Sequence, residues 1–140
     1  MIYNFVEAHK IGAIIEEVDA AFDFMSRGLK NLKEQKSSVS NNHVTLQLLS
    51  SGFERLVKIL LLIKDKHIDG TYPELEVAKK RFSKYNGGHG IKNMLAELMV
   101  YSESVKLMQD IPMVKEDLDY IKFDGDFTKF IEIVTEFAIS

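Results

Sequence analysis

The first strong periodicity along the chain is helical. Ile11, Ile14, Ile15, Val18, Phe22, Met25, Leu29 and Leu32 recur at steps of three and four, which winds them onto one stripe of a long helix. The polar run "EQKSSVSNN" ends that helix, and Ser40, Asn41 and Asn42 are N-cap types whose side-chain oxygens accept from the first backbone N–H groups of the next one. Over residues 44–67, Leu46, Leu49, Phe53, Leu56, Val57, Leu60 and Ile63 span a broad arc, so the second helix is expected to be mostly buried. Its remaining arc carries Gln47, Ser51, Glu54, Arg55, Lys58 and Asp65. That arc reads as a solvated stripe in which Glu54 and Lys58 have the i,i+4 spacing of a pair.

Shorter elements follow. Gly70 stops the second helix and Pro73 is expected in the first turn of a third, where its missing N–H is not needed. Leu75, Ala78, Phe82 and Tyr85 form the inner face of that helix and leave Lys79, Lys80, Arg81 and Lys84 in water. "NGG" breaks the chain, a fourth helix starts near His89 with Ile91, Leu95, Leu98, Ser102 and Val105 on one face, and "QDIPM" ends it. Val114, Leu118 and Ile121 mark a fifth helix. After "FDGD", with Asp126 as N-cap, Phe127, Phe130, Ile131, Val134 and Phe137 mark a sixth. No run alternates as a strand does, and no repeat is visible. The pattern predicts one all-α domain over residues 1–140. It is an antiparallel bundle of about five to six helices, with two long helices paired and the shorter ones packed against them.

A chain of 140 residues suffices for one core without covalent staples. It contains no cysteine, which removes disulfides, thiolate nucleophiles and sulfur-rich zinc sites and fits a cytoplasmic location. The opening "MIYNFVEAHK" does not read as a secretory signal. The longest unbroken apolar run, "ILLLI" from Ile59 to Ile63, falls far short of the roughly 20 residues a membrane span needs, so no membrane partner is expected.

Charge changes the picture locally. The net charge of −3 argues against whole-molecule attraction to nucleic acid. Yet from Val77 to Ala96 the charged residues are all basic (Lys79, Lys80, Arg81, Lys84, Lys92), while the segment after Asp110 is mostly acidic.

The chain has no phosphate-binding loop, and "GGHG" lacks the preceding strand of a dinucleotide site. His9, His43, His67 and His89 share no metal-ligand spacing, and "DGD" at 124–126 lacks the acid ladder of a calcium loop. No metal and no cofactor is expected. His89, in "KYNGGHGIKNML", is either part of a helix start or a functional histidine, with Arg81, Lys84 and Lys92 supplying a setting suited to phosphate.

Three stretches together, "SSGFERLVKILLLIK" at 50–64, the linker with "TYPE" and "KYNGGHGIKNML", resemble the HEPN superfamily of prokaryotic helical bundles. More closely, they resemble uncharacterised bacterial HEPN-like proteins in which a Gly-Phe-Glu-Arg helix precedes a Gly-His helix start and a "FIEIVTEFA"-like last helix. The similarity spans most of residues 40–138, and those relatives tend to continue past "EFAIS". The resemblance implies a four to six helix bundle, homodimerisation, and roles in defence, toxin–antitoxin systems or RNA and nucleotide transactions.

In active members an arginine and a histidine with four to six residues between them build an RNA-cleaving site across the dimer, with histidine as acid/base and arginine on the phosphate. Here Arg81 stands seven residues away from His89 by intervening count, and Lys84, with four between, lacks the guanidinium fork. The last helix, Phe127 to Ile139, has neither Arg nor His. The resemblance thus implies a non-catalytic or weakly active RNA- or nucleotide-associated or protein-interaction module of bacterial or phage-related origin. One alternative is a metal-independent endoribonuclease using His89 with Arg55, Arg81 or Lys84. Another is a structural or antitoxin-like partner. If the second and fourth helices pack, Glu54, Arg55, Lys58 and His89 are expected to form a polar cluster, with Arg81, Lys84 and Lys92 as further phosphate candidates. The expected partners are a second copy, RNA or a nucleotide, or another protein.

Overall fold

A computed structural model describes residues 5–34 and 39–140, and there the chain is helical with no strand. Two long helices, α1 (Phe5–Lys33) and α2 (Val39–Asp69), are followed by α3 (Leu75–Ser83), a 3-10 turn at Asn86–Gly88 and α4 (Ile91–Ser104). Then come α5 (Lys106–Asp110), α6 (Pro112–Phe123) and α7 (Gly125–Ile139). The described residues therefore form seven α-helices rather than five to six.

The main core is where α2, α4 and α7 meet. Leu49, Val57 and Leu61 interlock with Ile91, Met94, Ile131 and Val134, all nearly or fully withdrawn from water. Each such side chain contributes roughly 1.5–3 kcal/mol relative to an exposed one. A second cluster of Ala21, Met25 and Ile59 seats α1 on α2. Those two helices run antiparallel, as ion pairs from Arg55 to Glu17 and from Lys66 to Glu7 show. Glycines bring the backbones close: a Cβ on Gly52 would stand 2.5 Å from Met25 Cγ, and one on Gly28 would stand 2.7 Å from Leu49 Cγ.

Several element boundaries differ from the sequence reading. The first stripe divides, because α2 covers only one flank of it: Val18, Ala21 and Met25 face α2, whereas Ile15, Phe22, Leu29 and Leu32 stay exposed. Ser40, Asn41 and Asn42 lie inside α2 rather than ahead of it, and residues 35–38 lie outside the described residues. Gly70 ends α2 as expected, at φ +87° with its N–H on the Lys66 carbonyl at 2.7 Å. Pro73 lies just before α3, which starts at Leu75 after Glu74. The fourth helix stops at Ser104, where extended backbone at Val105 leads into the five-residue α5, tied back by Gln109 Nε2 donating to the Ser102 carbonyl at 3.0 Å. Asp124, not Asp126, caps α7, its carboxylate accepting from the Phe127 N–H at 2.8 Å. Among the described residues no helix is long and apolar enough to cross a membrane.

Candidate functional site

One row of α2 carries the polar chemistry. His43, Gln47, Ser51, Glu54 and Lys58 follow one another at steps of four, four, three and four, so they line one face of the helix. Gln47 Nε2 donates to Ser51 Oγ at 3.0 Å, and Lys58 Nζ donates to Glu54 Oε2 at 3.2 Å. The expectation of a solvated stripe fails here. Glu54 keeps 19% of its side-chain exposure because the turn between α3 and α4 folds over it.

That turn is built on the Tyr85 carbonyl, which accepts from Gly88 N–H at 3.0 Å and Gly90 N–H at 2.8 Å. Asn86, Gly87 and Gly88 take φ of 53°, 69° and 95°, a left-handed stretch that asparagine tolerates and glycine adopts without steric cost. A side chain at Gly88 would meet Lys58 Nζ at 3.2 Å, and one at Gly90 would meet the Tyr85 carbonyl oxygen at 3.0 Å. The glycines thus bring the backbone down on α2 and aim His89 sideways. Its ring does not cap α4, whose N-cap position is Gly90. Instead, Nδ1 lies 2.6 Å from Glu54 Oε1. An ionised carboxylate only accepts, so Nδ1 donates and Nε2 is the ring atom left for another partner.

His89 is half exposed and borders an open cleft of about 390 Å³, lined also by His43, Gln47, Ser51, Glu54 and Phe137. His43 packs edge-on against Phe137 of α7, with ring centroids 5.2 Å apart. Among the described residues, no three histidine or acidic side chains converge as metal ligands.

A second network fixes the far side of the turn. Arg81 does not stand in water: its guanidinium forks onto both carboxylate oxygens of Asp65, reaches Glu97 Oε2 at 3.2 Å, and donates to the Tyr85 hydroxyl at 3.2 Å. The Tyr85 hydroxyl donates in turn to Glu97 Oε2 at 2.5 Å, and Lys64 approaches Glu97 Oε1 at 3.5 Å. The hydrogen bonds to Asp65 hold Arg81 above its ordinary range. Burial works against charge on Glu97, but the Tyr85 hydrogen bond and the charges of Arg81 and Lys64 outweigh it and hold the carboxyl below the usual range. Burial, reinforced by Glu97, pushes the Tyr85 phenol up. Tyr85 therefore serves both networks, through its hydroxyl in one and its carbonyl in the other.

The structure brings together Glu54, Lys58 and His89 from the expected cluster and places the other candidates elsewhere. Arg55 pairs with Glu17 at 2.8 Å and lies over the Phe24 ring. Lys84 is exposed above the ring of Tyr85. Lys92 Nζ meets Glu132 at 3.2 Å, and its backbone N–H donates to Thr135 Oγ1, by which α7 supplies the first turn of α4 with an acceptor. His43 was passed over in the sequence, although its place four residues before Gln47 continues the same row. Asp65 and Glu97 carried no local signal for Arg81, since each lies 16 residues away on another helix, whereas Tyr85 stands at the local i,i+4 spacing. The chain matches no protein-family model, no curated protein and no solved structure.

Proposed function

We propose that this chain is a HEPN-like helical interaction module of the cytoplasm, which works by presenting apolar helix faces to protein rather than by gripping nucleic acid. One observation carries this reading: among the described residues, more large hydrophobic side chains lie exposed than buried, including Phe22, Leu29, Val100, Met113 and Phe123. Apolar surface left open on this scale is the mark of an interaction surface.

The fate of the cations points the same way. Arg55, Lys58, Arg81 and Lys92, four of the candidates for phosphate, each meet carboxylates of the same chain. A phosphate backbone would have to break those pairs before it gained contact with these four side chains. The test is fluorescence anisotropy of labelled mixed-sequence RNA at about 50 and 200 mM salt, where the counterion effect is steep. No binding at either salt supports the module; tight binding that weakens sharply with salt overturns it in favour of an RNA-associated bundle.

A second reading, a metal-independent endoribonuclease using His89, is favoured by the 2.6 Å hydrogen bond to Glu54, which fixes the ring and leaves Nε2 as a base beside an open cleft. Cleavage of cellular RNA in EDTA that disappears in a His89→Ala variant would support it. Absence of cleavage in both proteins would leave His89 as the residue that pins the turn to α2.

A further inference from the structure

More surface is open than a compact chain of this size requires. The protein exposes 9495 Å². A compact monomer of its mass exposes about 7,400 Å², and the excess is larger than the roughly 800 Å² per partner that a standard interface covers.

Part of that excess lies on α1 in an ordered form. Ile15, Phe22 and Leu29 recur every seven residues and are 58%, 55% and 56% exposed. Val18 and Met25, at the alternate apolar positions of the same heptads, pack against α2. A heptad pattern with one set of positions covered and the other bare is half of a helix–helix seam.

The charges on α1 give the seam a direction. Between Glu16 and Asp23 every charged residue is acidic, and between Arg27 and Lys33 every one is basic.

We infer that a second copy of this chain docks on the stripe, α1 against α1, antiparallel about a twofold axis at Phe22. Ile15 then meets Leu29 of the second copy, and Phe22 meets its own counterpart. Glu16 and Asp19 come alongside the segment that carries Arg27 and Lys30 in the second copy. Parallel pairing would instead set acid against acid and base against base, which opposes association. The arrangement is isologous, so it closes as a dimer and does not grow into a filament. The inference rests on the interaction-module reading and names the partner and the face.

The chain has no cysteine, so introduced thiols report cleanly. With a short bis-maleimide, Phe22→Cys is expected to cross-link to itself. Ile15→Cys and Leu29→Cys are expected to cross-link when mixed and to do so poorly alone. Strong self-linking of Ile15→Cys would mean parallel pairing and would overturn the inference. Sedimentation equilibrium at tens of micromolar should show a dimer that Phe22→Lys reduces to monomer at unchanged helicity. A dimer that survives Phe22→Lys overturns the α1 seam while leaving the module reading intact, because association then uses another face. A wild-type chain that stays monomeric also overturns the seam, and the RNA measurement alone then decides the module reading.

Discussion

At the scale of single residues, the anchor of the site is Arg81, because it holds Tyr85 in place and Tyr85 holds the turn that carries His89. Its side chain retains 15% exposure and satisfies Asp65 and Glu97 at once. Arg81→Met would leave two half-buried carboxylates facing each other across an apolar side chain, and the expected loss is about 2–3 kcal/mol, measured by urea unfolding. A lysine there should recover little, since it cannot fork onto Asp65. The same network sets the pH limits of stability. Glu97 is depressed in the fold, so its contribution is present above the unfolded carboxylate pKa of about 4.3 and is lost as pH falls through the folded value. Tyr85 is raised, so its contribution is present below the unfolded phenol pKa of about 10 and is lost as pH rises through the folded value. Glu97→Gln should therefore flatten the acid limb of a stability–pH curve, and Tyr85→Phe the alkaline limb. If neither variant alters its limb, the titrations of this network do not govern stability. The meeting of Glu54 with His89 was legible in the sequence only on the premise that the second and fourth helices pack, after which helical register and one helix start place the two side chains together. The seat of Arg81 was not, because α2 and α4 supply Asp65 and Glu97, and local spacing records only Tyr85, four residues on.

At the scale of elements, the close approach of α1 and α2 depends on glycines that cost helix stability where they stand. A glycine inside a helix is worth roughly 0.5–1 kcal/mol less than alanine, yet Gly28 and Gly52 sit mid-helix and buried against the opposite chain segment. A Cβ at Gly52 would lie 3.1 Å from both the Ala21 carbonyl oxygen and the Met25 backbone nitrogen, which cannot move as a side-chain tip can. Gly52→Val should therefore destabilise by about 2–3 kcal/mol through forced separation of the helices. Gly12 supplies the control. It is exposed on α1 with nothing within 4 Å of its missing Cβ, so Gly12→Ala should stabilise by about 0.5–1 kcal/mol. Thermal denaturation of both variants by circular dichroism tests the pair, and equal effects would mean that α1 does not pack on α2 through Gly52. The helices that the sequence revealed are those long enough to repeat a stripe. A five-residue helix such as α5 shows little more than one turn, so its periodicity vanishes into "VKLMQD" and only the extended backbone at Val105 and Ile111 separates it from its neighbours. The missed division of the α1 stripe has a similar origin, since a sequence records that positions are apolar and not how wide a face the next helix can cover.

At the scale of the whole molecule, the sequence segregates charge and the fold undoes part of the segregation. Two cations of the basic stretch from Lys79 to Lys92 fold against acids from distant segments: Arg81 against Asp65 and Glu97, and Lys92 against Glu132. Much of what remains open at this scale is apolar, with exposed hydrophobic side chains on both the α1 side and the α6 side of the bundle. A fold whose open surface is apolar gains stability when that surface is covered, and a covering copy links unfolding to concentration. For a domain of this size, each kcal/mol moves the midpoint by a few degrees. Raising the protein a hundredfold in concentration should thus lift Tm by about 5 °C, with the whole dependence lost in Phe22→Lys. Differential scanning calorimetry from low to high micromolar concentration measures this directly. A midpoint independent of concentration would mean that the bundle unfolds as a monomer and that its apolar faces are covered, if at all, by something other than itself.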